Sequence, residues 1–322
     1  MRLGFAVKVY ATHPELTQFH RQVDECRTEL GELGAHLRAG AIRLSTRPRW
    51  LPYRSLAGCD LAAVARGATG LATTQEEQMR FTGKRVLITG GTSGIGLAGA
   101  KRITAEGGEV HLTGTTPQRL ADTQKAIPDA RVLRNDASDP SAAGALADSV
   151  AAHGALDGLW LNAGYAAVAD VGQVDADFFD RMMNANVRGP VLQLARLAEH
   201  LNEGASVVIT SSTSTYEGSP MASVYAATKG ALVAMARGWA TELADRGIRV
   251  NVLVPGAIDT NFRSFMSDDV RENFENDVVG RVPLARVGTA DEAAAVALFL
   301  LSDESTYVTA SQYAVDGGLT KR

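Results

Sequence analysis

From Met79 onward, short apolar runs alternate with longer segments in which Ala and Leu recur at helical spacing. Apolar runs of this length, bounded by polar and glycine-rich segments, are typical of buried strands. They lie at 85–89, 109–113, 130–135, 156–162, 205–211, 248–255 and 311–316. Strands that alternate with helices predict βαβ units. Because such crossovers are right-handed, the pattern predicts an α/β fold with a doubly wound parallel sheet.

The first 78 residues do not show this alternation. They contain one segment with helical spacing at 14–39, an Arg- and Pro-rich cluster, and both cysteines, Cys26 and Cys59. The stretch that begins at Met79, "MRFTGKRVLITGG", resembles a natural start of translation. We therefore expect residues 79–322 to form the folded domain and residues 1–78 to be a gene-model artefact or a disordered extension. A genuine small accessory domain is the alternative.

Composition narrows the class of protein. Of the 322 residues, 45% are hydrophobic and 21% are charged, which is ordinary for a soluble globular protein. The net charge of −4 gives no electrostatic reason to expect a nucleic-acid partner. Two cysteines in a chain of this length do not indicate a disulfide framework, and no metal-ligand spacing is visible. No apolar run reaches the length of a membrane span and the N-terminus lacks the apolar core of a signal peptide, so we expect a cytoplasmic protein.

A glycine-rich turn, "GGTSGIG", directly follows the first strand. Gly90 suits the sharp exit from the strand, Gly94 lets the backbone approach a phosphate, and Gly96 lets the next helix pack on the sheet. The N-terminus of that helix offers free N–H groups and the positive end of its dipole. Three glycines also occur in turns without a ligand. Their position between the first strand and the first helix nevertheless predicts a dinucleotide-binding site.

A tyrosine and a lysine lie four residues apart in "SVYAATKGAL". On a helix, Tyr225 and Lys229 are neighbours on one face. A cation beside a phenol lowers the pKa of the phenol, which suits a group that exchanges a proton near neutral pH. Two ordinary surface residues are the alternative, because this spacing is common by chance.

Residues 79–322 resemble the short-chain dehydrogenase/reductase family in its single-domain subtype. The resemblance rests on motifs in the family order: "TGGTSGIG" (89–96), "NAG" (162–164), "NANVRG" (184–189), "SS" (211–212), "YAATK" (225–229), "PGAIDT" (255–260) and "DGG" (316–318). It implies a Rossmann fold of about seven strands in the order 3-2-1-4-5-6-7. It also implies an NAD(P)-dependent oxidoreductase that transfers a hydride between the cofactor and an alcohol or carbonyl. Leu161 departs from the family, which often has Asn at this position.

The resemblance implies a catalytic tetrad of Asn186, Ser212, Tyr225 and Lys229. Tyr225 would give a proton to the carbonyl oxygen, or accept one in the oxidative direction, and Ser212 would align that oxygen. Lys229 would lower the pKa of Tyr225 and hold the nicotinamide ribose hydroxyls. Asn186 would hold a water that links Lys229 to solvent, whereas the neighbouring Asn184 fits the family pattern less well.

The cofactor contacts implied by the resemblance lie near the ends of the strands. NADP(H) is favoured and NAD(H) stays open, because Gly114 stands where NAD-preferring members carry an acidic residue. Thr115 and Thr116 are then the candidates for contact with a 2′-phosphate. The full set of implied contacts is Gly90, Thr92, Ser93, Gly94, Ile95, Gly96, Thr115, Thr116, Asp136, Ala137, Asn162, Ala163, Gly164, Tyr225, Lys229, Pro255, Gly256, Ile258 and Thr260.

Two alternative functions remain at this point. A 3-oxoacyl-thioester reductase would need a basic docking patch, to which Arg181 and Arg188 would contribute. A non-catalytic dinucleotide-binding sensor or scaffold would have no need of the tetrad. Members of the family usually form tetramers or dimers through two long helices, expected here at 175–202 and 223–246, so a homotetramer or homodimer is implied.

The remaining candidates are less specific. Phe262, Phe265 and Met266 follow the last cofactor motif, and they either close over an apolar substrate or pack a lid against the core. We expect the histidines of this part of the chain to lie at the surface rather than to serve as ligands. They are His111, His153 and His200.

Overall fold

The structure is a computed structural model that describes residues 79–263 and 277–321. The strands are β1 (Arg85–Ile88), β2 (Glu109–Gly114), β3 (Arg131–Arg134), β4 (Leu156–Leu161), β5 (Leu201–Thr210), β6 (Arg249–Pro255), β7 (Ile258–Asp259), β8 (Gly288–Thr289) and β9 (Gln312–Val315). Seven of them form one parallel sheet in the order β3-β2-β1-β4-β5-β6-β9, and β7 pairs with β8 in a separate ladder. Because β9 is the seventh strand of the main sheet, the predicted order and the doubly wound α/β fold are confirmed.

Helices connect the strands. They are α1 (Gly94–Ala105), α2 (Pro117–Ala126), α3 (Ala142–Ala151), α4 (Ala176–Met183), α5 (Gly189–Leu197), α6 (Ser214–Glu217), α7 (Ser223–Glu242) and α8 (Ala290–Leu301). Asp175 caps α4 by accepting a hydrogen bond from the Phe178 N–H, and Thr289 begins α8 with a reciprocal capping box to Glu292. Within the described residues, no helix is both long and apolar enough to cross a membrane.

The core has two layers, one on each face of the sheet. Successive residues of β1 show this directly, because Leu87 packs into one apolar cluster while Val86 and Ile88 pack into the other. A parallel sheet covered on both faces is expected to have such continuous apolar strands. On the Ile88 side, α1 lies close to the sheet: a Cβ added at Gly99 would stand 2.4 Å from Cζ3 of the fully buried Trp160.

A buried arginine joins β6 to the end of α8. Arg249 is only 8% exposed, and its guanidinium donates to the carbonyls of Leu300 at 3.0 Å and Ser302 at 3.1 Å. It also donates to Oγ of Ser305 at 2.8 Å. Burial lowers the pKa of Arg249, and the charge of Asp303 opposes that shift. These bonds fix the turn after α8 against the central sheet.

Two predictions of local structure require correction. The helix expected at 175–202 is interrupted, since a π-helical turn at Asn184–Arg188 separates α4 from α5. His111 does not lie at the surface but is fully buried in β2, where Nε2 contacts Oε1 of Glu109 at 3.0 Å. Burial lowers the pKa of His111. The expectations for residues 1–78 lie outside the described residues.

Candidate active site

The glycine turn between β1 and α1 is shaped by close contacts and left-handed backbone. Gly90 has φ +65°, and a Cβ there would stand 2.9 Å from Cα of Ala163. A Cβ at Gly96 would stand 2.6 Å from the Gly90 carbonyl oxygen. Gly94 has φ +51° and faces Thr260. Any larger residue at Gly90 or Gly96 would therefore displace backbone, which explains why the turn needs glycine.

The turn is tied to the end of β4 by hydrogen bonds. Oγ1 of Thr89 accepts from the N–H groups of Asn162 at 3.0 Å and Ala163 at 3.1 Å. Nδ2 of Asn162 donates to the Gly90 carbonyl at 3.3 Å. The predicted contacts from the first and fourth strands therefore form one continuous surface.

This surface continues from Gly164 to the predicted catalytic residues. A Cβ built on Gly164 would stand 3.2 Å from Nζ of Lys229 and 3.6 Å from Oδ1 of Asn186. Lys229 and Asn186 are both buried, and they come from different helical segments, α7 and the π-helical turn. The absence of a side chain at Gly164 leaves room for an ammonium and an amide beside the end of β4.

Tyr225 and Lys229 lie one turn apart on α7. The Nζ atom of Lys229 is 5.8 Å from the centroid of the Tyr225 ring and donates to the Thr210 carbonyl at 3.0 Å. Burial lowers the pKa of Lys229 to about 8 and raises the pKa of Tyr225 to about 12. The sequence predicted that the ammonium would lower the pKa of Tyr225, and for the protein alone this direction is wrong because burial is the larger effect.

Ser212 follows β5 and reaches the same phenol. A hydrogen bond from its side chain opposes the rise in the pKa of Tyr225 caused by burial. The Ser212 Oγ also accepts from the Ser214 N–H at 3.2 Å, at the start of α6. The preceding Ser211 donates from Oγ to the Lys229 carbonyl at 2.9 Å, which holds α7 against the end of β5.

Asn186 makes structural hydrogen bonds with its side chain. Oδ1 accepts from the Tyr165 N–H at 2.7 Å, and Nδ2 donates to the Tyr165 carbonyl at 2.8 Å and to Oγ1 of Thr228 at 3.1 Å. In a regular α-helix the Asn186 carbonyl would accept from residue 190, but Pro190 has no N–H. This gives a physical reason for the π-helical turn at this point.

The predicted adenosine end lies at the ends of β2 and β3. A Cβ on Gly114 would stand 2.4 Å from Oγ1 of Thr92, so the threonine of the glycine turn fills the space of a side chain there. Thr115 and Thr116 are exposed just beyond β2. Asp136 is exposed, and its Oδ1 accepts from both the N–H at 2.9 Å and the hydroxyl at 2.8 Å of Ser138.

The remaining predicted cofactor positions lie around the glycine turn. A Cβ at Gly189 would stand 2.5 Å from the Ala137 carbonyl oxygen, which places Ala137 against the start of α5. Pro255 ends β6 and Ile258 is buried in β7. Thr260 closes the site on the other side, since a Cβ at Gly94 would stand 3.3 Å from its Cγ2. Three predicted cofactor positions remain. Ser93 directly precedes α1, and Ile95 lies in the first turn of α1. Gly256 donates its N–H to the Val315 carbonyl.

One aromatic residue approaches Tyr225 from the expected substrate side. The ring centroids of Phe262 and Tyr225 are 6.3 Å apart, and Phe262 is 44% exposed. Because so much of the Phe262 side chain is exposed, it agrees better with a residue that lines a substrate site than with one that packs in the core. Phe265 and Met266 lie outside the described residues.

Sequence patterns did not identify three residues that organise this site. Each acts through contacts between segments that are distant in sequence, and they are Thr89, Trp160 and Thr210. Two signals were available: Thr89 begins the "TGGTSGIG" motif and Thr210 directly precedes the "SS" motif.

Comparison with known proteins identifies the family. A family model described as enoyl-(acyl carrier protein) reductase matches residues 90–320. The chain is 35% identical over 247 residues to the oxidoreductase asL5 of Sarocladium schorii, covering 75% of this chain and 98% of that protein. It is 34% identical over 250 residues to glucose 1-dehydrogenase of Gluconobacter oxydans, covering 75% and 93%. It is 33% identical over 245 residues to 2-dehydro-3-deoxy-L-rhamnonate dehydrogenase (NAD(+)) of Sphingomonas, covering 75% and 97%.

Solved structures agree. The crystal structure of levodione reductase matches with a TM-score of 0.69 and 35% identity, covering 75% of this chain and 99% of that one. A short-chain dehydrogenase from Burkholderia cenocepacia in complex with NADP matches with a TM-score of 0.69 and 32% identity, covering 74% and 99%. The chain belongs to the short-chain dehydrogenase/reductase family. It is an NAD(P)-dependent oxidoreductase, and the family binds a nicotinamide cofactor.

The residues at the glycine turn fit such a cofactor. Because Gly90 and Gly96 carry no side chains, a phosphate is able to approach the main chain of the turn closely. The first turn of α1 carries no acidic side chain that would repel a phosphate. Lys229 has three N–H donors, of which the Thr210 carbonyl takes one, so the ammonium is able to hold hydroxyls as well.

Proposed function

We propose that Tyr225 is the proton donor and acceptor of an alcohol and carbonyl oxidoreductase. The observation that carries this proposal is the Lys229 ammonium, which lies 5.8 Å from the centroid of the Tyr225 ring and beside Gly164, next to Asn186. The bound nicotinamide would supply or accept the hydride at the carbonyl carbon. Tyr225 gives its proton to the carbonyl oxygen during reduction, and Ser212 holds that oxygen in line by a hydrogen bond.

The proposed role of Lys229 is to keep positive charge beside the phenol and to hold the ribose of the cofactor. Its pKa of about 8 means that the buried ammonium is mostly charged at neutral pH. The hydroxyl oxygens of a ribose would accept hydrogen bonds from the ammonium and so compensate for part of the hydration that it loses on burial. An ammonium held in this way favours the phenolate form of Tyr225, which the oxidative direction requires.

The proposed proton path uses the main chain of Asn186. The side chain of Asn186 is engaged with Tyr165 and Thr228, so it holds the segments together rather than a water. The carbonyl of Asn186 lacks the usual donor four residues later because that residue is Pro190. A water bound to this carbonyl would connect Lys229 to solvent.

For the cofactor we propose a preference for NADP(H). No acidic residue stands at the end of β2, and Thr115 and Thr116 are exposed there to contact a 2′-phosphate. Gly114 and Thr92 are in such close contact that an acidic side chain does not fit at position 114. The relative named as an NAD(+) dehydrogenase and the structure in complex with NADP support opposite preferences, so this proposal rests on the residues of the chain itself.

The thioester-reductase alternative is less well supported by the surface of the helix that would dock a carrier. Arg181 is exposed, but Arg188 is partly buried and donates from its guanidinium to the Ser138 carbonyl at 2.8 Å. One exposed arginine is a weak docking patch for an acidic partner. A non-catalytic sensor would not need the buried Lys229 and the Ser212 contact to Tyr225.

The remaining proposals concern organisation. We propose that residues 79–322 are the catalytic domain, with residues 1–78 as an extension to it. We also propose that the protein forms a homotetramer or homodimer and lies in the cytoplasm. Its substrate would be a small alcohol or carbonyl compound, and neither nucleic acid nor a membrane would be a partner. The long helical segments around α4–α5 and α7 are the surfaces through which such an oligomer would form.

The experiment that tests the function is a calorimetric titration of the full chain with NADPH and NADH, followed by a turnover panel with the tighter cofactor. The panel covers aliphatic and aromatic ketones, sugars, acyl thioesters and their alcohols. Binding in the micromolar range with turnover of at least one ketone or alcohol is expected. Binding without turnover of any compound would favour the sensor, and turnover of acyl thioesters alone would favour the thioester reductase.

A further inference from the structure

A row of hydrogen bonds runs from the core to the glycine turn. Nε1 of Trp160 donates to Oγ1 of Thr210 at 2.9 Å, and Oγ1 of Thr210 donates to Oδ1 of Asn162 at 3.0 Å. Nδ2 of Asn162 then donates to the Gly90 carbonyl at 3.3 Å. Trp160 is fully buried and Thr210 is 9% exposed, so water does not compete effectively for these bonds. The proposed proton transfer does not use this row.

The direction of the row is fixed by its first member. An indole N–H donates and cannot accept, so the Thr210 oxygen must be the acceptor in the first bond. The single hydroxyl hydrogen of Thr210 is therefore free to point at Oδ1 of Asn162. The amide nitrogen of Asn162 then faces the Gly90 carbonyl. A flipped amide would place two oxygens against each other at Gly90, and it would also leave the Thr210 hydroxyl without an acceptor.

The end of the row supports the first turn of α1. A Cβ at Gly96 would stand 2.6 Å from the Gly90 oxygen and 2.7 Å from Nδ2 of Asn162. The helix start is thus packed on the two atoms that make the last hydrogen bond. A rotation of the Asn162 amide would therefore disturb the packing between the glycine turn and the start of α1.

Thr210 also belongs to the other half of the site, because its carbonyl accepts from Nζ of Lys229. We propose that Trp160 and Thr210 are positioning residues, which set the glycine turn for the dinucleotide and join it to the Lys229 ammonium. This inference rests on the proposed role of the glycine turn in cofactor binding. The function of the Thr210 hydroxyl would be to hold the Asn162 amide against the Gly90 carbonyl, which none of the proposed catalytic residues does.

The test is the substitution Thr210→Val, which removes the hydroxyl and keeps both the shape and the carbonyl that holds Lys229. The Kd for the preferred dinucleotide, measured by calorimetry, should rise about tenfold, because the substitution breaks both hydrogen bonds of the hydroxyl and leaves the Asn162 amide without its support. Thr210→Ser retains the hydroxyl and should restore the Kd to within about twofold of the parent value. In the protein without cofactor, amide hydrogens of residues 90–96 should exchange faster in Thr210→Val. The matched control is Thr123→Val, a buried threonine of α2.

The second link is tested with Trp160→Phe, which removes the indole N–H. Because both substitutions break one row, the double variant should bind the dinucleotide about as weakly as the weaker single variant. An unchanged Kd in Thr210→Val, or equal weakening in Thr210→Ser and Thr210→Val, would overturn the inference. If Thr210→Val does not fold, the same measurements of Kd and amide exchange are made on Trp160→Phe and Thr210→Ser. The inference then requires weaker binding and faster exchange in Trp160→Phe but not in Thr210→Ser. A parent chain that binds neither dinucleotide would refute the proposed function, whereas faster amide exchange at the turn would still support the row itself.

Discussion

The Nζ atom of Lys229 lies 5.8 Å from the centre of the Tyr225 ring, within the range of a cation–π contact. Lys229 is buried and Tyr225 is partly buried, and the loss of water around them shifts the pKa to about 8 for Lys229 and to about 12 for Tyr225. Each shift favours the uncharged form of its group. The protein alone therefore holds a desolvated ammonium that new hydrogen-bond partners, such as ribose hydroxyls, would stabilise.

The first prediction concerns stability and pH. The pKa of Lys229 is about 8 in the folded protein and 10.5 when the side chain is in water, so the unfolded chain binds this proton more tightly. The contribution of Lys229 to stability is full above pH 10.5 and is lost as the pH falls through about 8. Lys229→Met should therefore raise the free energy of unfolding at pH 7 by about 3 kcal/mol.

Urea unfolding at pH 7, 9 and about 10.5 measures this effect. The advantage of Lys229→Met should shrink as the pH rises and should be only about 0.4 kcal/mol at pH 10.5, where the parent lysine is neutral in the folded protein and half-protonated in the unfolded chain. Lys101→Met at an exposed site of α1 is the control and should change stability little at any pH. A constant difference across the pH range would contradict the explanation by desolvation.

The second prediction concerns turnover. Tyr225→Phe removes the phenolic hydroxyl and leaves the ring that contacts Phe262. The Kd for the dinucleotide should stay within about twofold of the parent value, and turnover should fall at least about 100-fold, the size expected for loss of a general acid. Tyr307→Phe, at a fully exposed position, is the matched control. Parent-like turnover in Tyr225→Phe would show that another group transfers the proton.

The third prediction concerns the choice of cofactor. Gly114→Asp alone should lower the melting temperature, because the new Cβ would stand 2.4 Å from Oγ1 of Thr92. Thr92→Ala/Gly114→Asp removes that atom and places a carboxylate where it accepts from a ribose 2′-hydroxyl and repels a 2′-phosphate. The ratio of the Kd values for NADPH and NADH should then shift at least about tenfold toward NADH. Thr92→Ala alone is the control, and an unchanged ratio in the double variant would remove Gly114 from the cofactor site.

The fourth prediction concerns the arginine that joins β6 to α8. Arg249→Lys keeps the positive charge but replaces the planar guanidinium with a smaller ammonium group. The ammonium cannot reach all three acceptors of the guanidinium, which are the Leu300 carbonyl, the Ser302 carbonyl and Oγ of Ser305. We expect a loss of about 2–3 kcal/mol in the free energy of unfolding, measured in urea, with turnover of the folded fraction unchanged. Arg237→Lys, on the exposed side of α7, should be close to neutral. Equal stability of the two variants would mean that these bonds contribute little.

The apolar runs were sufficient to predict the strands and their parallel arrangement, and the resemblance to the family supplied the strand order that the structure confirms. The apolar runs and the glycine positions are local signals, which is why they can be read from the sequence. Contacts across strands were not visible in this way. The row from Trp160 through Thr210 depends on neighbours that only the folded sheet creates, and the short β7–β8 ladder has too few residues to produce a pattern.

Two of the sequence expectations failed for a related reason. His111 was expected at the surface because histidine is often polar and exposed, yet its strand is covered on both faces and the ring is buried beside Glu109. The helix around Asn186 was expected to be continuous, whereas Pro190 removes one main-chain donor and a wider turn forms. In both cases a tertiary or backbone constraint outweighed the average behaviour of the residue type.

The pairing of β7 with β8 has a consequence for the connection between them. Ile258 and Asp259 lie beside Gly288 and Thr289, so the chain returns to its point of departure after the excursion between them. The ladder holds the two ends of this connection side by side, so a change in the length of the chain between them need not shift Ile258 or the start of α8. Variation in length there is therefore separable from the geometry of the main sheet.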